Sequence, residues 1–539
     1  MASIDWMNEV IVNATTRFPT WWTRLVEAVH QWSPSRGLLV LFAIIAVGGL
    51  SVGLASYALS TPYGGGHDED FHMISIWCPS PGHDGCTLVS VDDTGQPSVS
   101  VPAGFLARGC FAGNPDATAS CADLNQAGMV TTNRVNAGGY NGIYHRIMHI
   151  FASDDIDRMT VTVRLVNVAI AAAAVLALLL LLDGRSRRLF AWGGIVLAMP
   201  PIPMLVASVN PESWALTGIT TVMAALVGAY IADAKWRRWA LVALSFLGAF
   251  LASVARPDTA AFTVVAAVAV GLLFITQIKK VWPVMVASLG IICVGVWGFL
   301  SSQENSAITS GMGTVVSNTQ VRGLQLLVRN LVYFPTWLSA GWHTAYDVAM
   351  PDPTAYLLFA CTAAMAAFAL ARSGMSLGKV ISILLVGGVL VGAPMAVLQA
   401  EGSTLWAPGN GGVQVRYELP ALIMLIFVVL VPLVGKSTRI LSLRSTVLLW
   451  LAISLCSIVN LHVWIRRWVT GLDYSGVNLD LGVGWWRSWM PSPMATWMIG
   501  SVGFTVAAAA IVFVWWSPMG ARRALAASYE DGQSQPDGN

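Results

Sequence analysis

Charged side chains are scarce in this sequence. Asp, Glu, Lys and Arg make up 11% of the 539 residues, against 55% hydrophobic, and this balance excludes an ordinary soluble domain, in which about a quarter of residues are charged. The basic residues fall in short separate clusters rather than one patch, and the formal net charge is +2. That gives no footing for a nucleic-acid partner. None of the seven cysteines forms a C-x2-C pair, so the usual spacing of a structural zinc site is missing. The sequence also lacks an internal repeat, and its apolar runs are almost free of acids.

What the chain does have is long apolar sequence. Runs at 37–59, 161–182, 188–207, 214–232, 239–254, 259–277, 282–300, 354–371, 379–399, 420–434, 444–463 and 494–516 predict an all-α polytopic membrane protein with about twelve transmembrane helices, since about 20 apolar residues cross a bilayer. Basic residues collect at Arg185/Arg187/Arg188, Lys235/Arg237/Arg238, Lys279/Lys280, Arg372/Lys379, Lys436/Arg439/Arg444 and Arg522/Arg523. These lie on every second loop, so the positive-inside rule makes those loops cytoplasmic and both termini with them. The expected location is the plasma membrane.

The first run, 37–59, is too long for a signal-peptide core and reads as a retained anchor. Residues 1–36 form a cytoplasmic leader whose Trp21, Trp22, Leu25, Val26, Val29 and Trp32 recur at near-helical spacing. Such a segment lies along the inner interface or packs as a plain helix. Helices 2–7 then occupy 161–300, helices 8–12 occupy 354–516, and 517–539 is a cytoplasmic tail.

On the outer side this topology leaves an extracytoplasmic loop domain at 60–160, a second loop at 301–353, and smaller ones at 400–419 and 464–493. The first contains Cys78, Cys86, Cys110 and Cys121. Four cysteines in an external segment imply two disulfides. Three connectivities are open, and local pairing, Cys78 with Cys86 and Cys110 with Cys121, is the expected one. Short Val/Ser/Thr runs at 87–103 suggest β structure there. Cys293, Cys361 and Cys456 sit inside spans as packing residues, and Arg466 and Arg467 are placed to meet lipid headgroups.

Directly after the first span stands Gly64-Gly65-Gly66-His67-Asp68-Glu69-Asp70-Phe71-His72. An ionised carboxylate at mid-bilayer costs roughly 2.5–3.5 kcal/mol, so these acids belong at or beyond the outer interface. The glycines break the helix and admit close backbone approach. Asp68, Glu69 and His72 then offer a proton acceptor and metal ligands within one turn, with a solvated acidic loop as the plain alternative. The other short outer loops also carry acids: Asn210-Pro211-Glu212-Ser213-Trp214, Arg256-Pro257-Asp258, and Gln414-Val415-Arg416-Tyr417-Glu418-Leu419-Pro420. Their arginines run against the topological bias. They are interfacial, partners of local acids, or forks for an anionic headgroup.

These stretches resemble the GT-C superfamily, integral-membrane glycosyltransferases that use lipid-phosphate-linked sugars. More narrowly, the chain looks like one predicted-membrane-protein family of that superfamily, first described as a domain of unknown function. That family's pattern is Pro-Asp-Glu-x-x-His in the first loop, Gly-Trp followed by an acid and a Pro, and Gln-Gly-Arg-Tyr-x-x-Pro opening a late span. Here Asp68-Glu69-Asp70-Phe71-His72, Gly341-Trp342 with Asp347 and Pro351, and Gln414-Val415-Arg416-Tyr417-Glu418-Leu419-Pro420 take those places. His67 replaces the Pro, Val415 replaces a Gly, and the Gly-Trp segment is stretched.

The resemblance implies transfer of a sugar from a polyprenyl-phosphate-linked donor to a glycan or lipid acceptor of the cell envelope, on the extracytoplasmic face and with inversion. It puts the catalytic base at Asp68 or Glu69, with Asp68 in the motif's first acidic position. Arg416, with Arg256 and His72, would bind the donor phosphate, and Tyr417, Trp342, Glu212 and Asp258 would bind substrate. A divalent cation, Mg or Mn, is left open as cofactor, with Asp68, Glu69 and His72 as candidate ligands. Outer aromatic residues such as Tyr140, Trp485, Trp486 and Trp489 would stack on sugar or guide the lipid.

Two other classes compete. A twelve-helix secondary transporter would place ionisable residues near the midplane, where this sequence has almost none. A non-catalytic envelope assembly protein would use the loop domain as its interaction module.

Overall fold

A computed structural model describes residues 36–82, 86–93, 95–194, 196–302, 352–372, 374–400, 415–431 and 443–515, together with 328, 343, 344, 348 and 349. The leader and the tail lie outside the described residues, as do most of 301–353 and 401–414.

The described chain is mostly helical. Among the described residues seven helices are long and apolar enough to cross a membrane: Gly37–Ser60, Ile156–Leu181, Glu212–Ile231, Lys235–Ala255, Ile275–Leu300, Ser445–Val469 and Pro493–Val512. Shorter apolar helices cover Pro257–Leu273, Tyr356–Ala371 and Leu377–Ala393. The chain is therefore a multi-pass membrane protein. One expected span has a different form. The run at 188–207 is split into a helix to Gly193, a 3-10 turn at Val196–Ala198 and a short helix Pro201–Val206, because Pro200, Pro201 and Pro203 interrupt the backbone hydrogen bonding that a continuous helix needs.

In chain order the elements that position the site are α1 (Arg36–Ser60), α2 (Glu69–Trp77), β1 (Thr87–Val91), β2 (Pro97–Pro102), β3 (Met129–Thr132), α3 (Ile143–Met148), α4 (Ile156–Leu181), α5 (Gly184–Gly193), α6 (Pro201–Val206), α7 (Glu212–Ile231), α8 (Lys235–Ala255), α9 (Pro257–Leu273), α10 (Ile278–Leu300), α11 (Asp352–Arg372), α12 (Leu377–Ala400), α13 (Leu419–Leu430), α14 (Leu443–Val469) and α15 (Pro493–Trp515). Helix α7 is the buried centre of the bundle, with nearly every residue inside. It packs against α8, α4 and α13, while α1 packs against α15. There Gly49 and Gly503 bring the backbones so close that a Cβ on Gly49 would lie 2.5 Å from the Gly503 carbonyl oxygen. Small residues at such contacts are how apolar helices gain packing in lipid.

The segment between α1 and α4 forms a compact unit at one end of the bundle. Its three-stranded antiparallel sheet pairs β1 with β2 and β2 with β3, with Leu88 opposite Val99 and Val99 opposite Thr132. Val99 and Val101 alternate into a small core with Tyr63, Phe105 and Tyr144, as a half-buried strand requires. The β structure expected at 87–103 is present. So is the local disulfide pairing, Cys78–Cys86 and Cys110–Cys121.

Candidate functional site

The turn that leaves α1 sets the geometry. Gly64 adopts φ +72 with the Arg108 side chain against it, where a Cβ would meet Arg108 at 2.8 Å. Asp68 follows at φ 49, the only left-handed non-glycine among the described residues. Asp is one of the few side chains that tolerate this conformation. The left-handed step starts α2 and sends the three consecutive acids to different arginines, Asp68 to Arg416, Glu69 to Arg164 and Asp70 to Arg108, with Arg134 shared between Asp68 at 3.9 Å and Asp70 at 2.5 Å.

Glu69 is fully buried against an equally buried arginine. Arg164 on α4 donates from Nε to Oε1 at 2.8 Å and from Nη2 to Oε2 at 2.5 Å, and the backbone N–H groups of Gly66 and Val209 donate at 3.1 and 3.0 Å. Burial pushes this carboxyl up, but the Arg164 charge and these hydrogen bonds outweigh it and hold Glu69 below its ordinary value. Arg164 also caps α1, donating to the carbonyls of Ala58, Thr61 and Pro62. Asp70 ties α2 to the loop unit, where Arg108 approaches it at 2.9 Å and Arg134 at 2.5 Å.

Asp68 keeps a third of its side chain exposed and pairs through Oδ2 with Nη2 of Arg416 at 2.5 Å, across 348 residues of chain. Arg416 is nearly buried. It opens the 3-10 turn before α13, which Pro420 starts in the first helical turn. Its Nε lies 3.4 Å from Oε1 of Glu212, and the same oxygen lies 3.4 Å from Nη1 of Arg256. Arg256, just before α9, also holds Asp258 at 3.0 Å. The ring of Tyr417 is flanked by both guanidinium groups, with centroid distances of 4.1 Å to Arg256 and 4.9 Å to Arg416. Glu212, Arg256, Asp258, Arg416, Tyr417 and Pro420 line a small pocket.

Behind Asp68, buried His72 and His145 share a hydrogen bond of 3.1 Å between Nδ1 and Nε2, with Tyr140 5.3 Å from His72. Burial pushes His145 down to about 3. Burial and then the neighbouring His145 push His72 well below its ordinary 6.5. Both imidazoles are neutral at pH 7. Burial and then Asp258 push the carboxyl of Glu418 well above the ordinary range.

Asp68, Glu69 and His72 do not assemble as metal ligands. Glu69 is occupied by Arg164 and His72 by His145, and no group of three His, Cys, Asp or Glu side chains suited to a metal occurs among the described residues. The positive charge facing Asp68 and Glu69 comes from arginine. The expectation for Arg467 is corrected. This side chain is buried and donates to the carbonyls of Phe111, Asn114 and Ala117, so it faces the loop unit rather than headgroups. Trp342, with Asp347 and Pro351, lies outside the described residues.

Residues 50–426 match the family model described as "Predicted membrane protein (DUF2142)". The chain belongs to this family. No curated protein and no solved structure matches it. The DUF2142 match covers every residue of the Asp68–Arg416–Glu212–Arg256 cluster and the loop unit, and ends within α13. In this DUF2142 protein the site is thus built from four separated segments that the sequence singled out. The sequence reading missed Arg164, Arg134, Arg108 and His145, and it gave Asp70, named among the acids of the first loop, no role. Arg164 left a signal, as a lone arginine inside an apolar run is a functional or structural marker by default.

Proposed function

We propose that the protein is a GT-C-type glycosyltransferase that moves a sugar from a polyprenyl-phosphate donor to a cell-envelope glycan or lipid acceptor on the extracytoplasmic face. The observation that carries the reading is the pairing of a partly exposed carboxylate, Asp68, with a nearly buried arginine, Arg416, beside a second arginine and a tyrosine. Such a group offers both halves of the chemistry in one place. Asp68 takes the acceptor hydroxyl proton as the hydroxyl oxygen attacks the anomeric carbon, and the bond from that carbon to the phosphate oxygen breaks with its electron pair. Arg416 and Arg256 stabilise the departing phosphate. Attack opposite the phosphate inverts the centre. Glu69, without exposed surface, serves as the brace of this loop rather than as the base.

The test is transfer of labelled sugar from membrane polyprenyl-phosphate donors to endogenous acceptor at matched expression. Asp68→Asn is expected to lose about 10²–10⁴-fold in rate, the range for a general base, and Arg416→Ala to lose transfer together with donor affinity. Wild-type transfer undiminished in Asp68→Asn would remove the assignment.

A further inference from the structure

The bonds of Arg416 make a second statement about this site, one that rests on the lipid-phosphate reading above. Its guanidinium uses Nη2 on both Asp68, at 2.5 Å, and the Tyr417 hydroxyl, at 3.0 Å, and directs Nε toward Glu212 at 3.4 Å without a hydrogen bond. Nη1 is buried and has no hydrogen-bond partner among the described residues. A phosphate binds a guanidinium best through two parallel N–H···O bonds along one edge. The edge that includes Nη1 is completed by Nη2, the nitrogen that Asp68 and the Tyr417 hydroxyl share. A headgroup that takes this edge competes for Nη2 with Asp68, the charged one of its two partners, while Glu212 keeps its place near Nε.

We propose that Asp68 is a displaceable stand-in for the donor phosphate. It holds Arg416 until the phosphate arrives, and the phosphate then releases it as a carboxylate with one cation fewer, hence a stronger base. Binding of donor and readiness of the base are thereby coupled through a single guanidinium. The exposure pattern supports the exchange, because Asp68 is 33% exposed and Arg416 is 5% exposed, so the mobile partner is the acid.

The consequence is counterintuitive: removing the acid strengthens donor binding. Full-length protein in nanodiscs would be titrated with polyprenyl monophosphate, and with the polyprenyl alcohol as the uncharged control. Asn and Gly both accept the left-handed backbone at position 68, so Asp68→Asn and Asp68→Gly keep the turn, and thermal unfolding of each verifies it. Both are expected to bind the phosphate at least about fivefold tighter than wild type, the low end of a coupling between two ligands. Asp258→Asn, which relieves Arg256 instead, is expected to show no such gain. Equal or weaker binding by the position-68 variants overturns the exchange while leaving the donor reading in place. An equal gain in Asp258→Asn also overturns it, reducing the effect to the general field of the acids. If no variant, wild type included, prefers the phosphate over the alcohol, the donor reading falls and the exchange with it.

Discussion

Adjacent residues at 68 and 69 have opposite uses. Glu69 is sealed against Arg164, and removal of one partner from such a buried pair typically costs about 3–5 kcal/mol because the other charge is left uncompensated. Arg164→Ala is therefore expected to lower folded yield in detergent and the thermal unfolding midpoint sharply, whereas Asp68→Asn is expected to retain both; size-exclusion profiles and unfolding curves of the two variants check this. The buried imidazoles add a pH dependence. His145 titrates near 3 in the folded protein rather than at its ordinary 6.5, so below about pH 6.5 the unfolded chain binds a proton that the folded one refuses. Stability contributed by the neutral imidazole is present above that value and is lost as pH falls, by up to about 1.4 kcal/mol per pH unit for each such group. Unfolding midpoints at pH 7, 6 and 5 are expected to fall, and to fall less in His145→Gln. At this scale the sequence singled out Asp68, Glu69, Glu212, Arg256, Asp258 and Arg416 but not which of them meet or how they divide the work. Asp68 and Glu69 are chemically near-equivalent letters, and what separates them is Arg164, 95 residues further on, whose pairing no local pattern encodes.

At the scale of elements, apolar runs were legible wherever the helix is continuous, since length and hydropathy alone decide a span. They misled at 188–207, where composition is equally apolar whether the segment runs straight or is broken by its three prolines. The disulfides and the β segment were readable because cysteine placement and Val/Ser/Thr alternation are local signals. Close helix approach was not read from sequence, although its residues are plain afterwards. Gly49 lies against the backbone of Gly503, while a Cβ on Gly48 would meet nothing within 4 Å. Gly49→Leu is expected to force α1 and α15 apart at an overpacking cost of about 1–3 kcal/mol, and Gly48→Ala to be nearly silent. Paired thermal unfolding measurements of these neighbours distinguish a specific contact from general sensitivity of α1.

On the scale of the molecule, the loop unit is fastened to the end of the bundle by elements beyond the family-matched segment. Arg467 near the end of α14 holds three of its carbonyls, Leu472 donates to Pro115, and Arg487 binds Asp157 at 2.5 Å and the carbonyls of Leu59 and Thr61. Two arginines, Arg164 and Arg487, thus converge on the last turn of α1. Arg467→Ala is expected to leave the bundle folded and to make the loop unit more sensitive to added protease, read as faster cleavage between 103 and 128 in intact membranes.

The order in which the chain is made gives these long-range bonds a timetable. Glu69 meets Arg164 only 95 residues later and the backbone of Val209 only 140 residues later. Asp68 waits 348 residues for Arg416, which at about 5–20 residues per second is on the order of 20–70 s of synthesis. For that interval Asp68 has left the ribosome without Arg416, although Arg134, which approaches it at 3.9 Å, is already made, so whatever attends the growing chain at the membrane meets a carboxylate still missing its nearer cation.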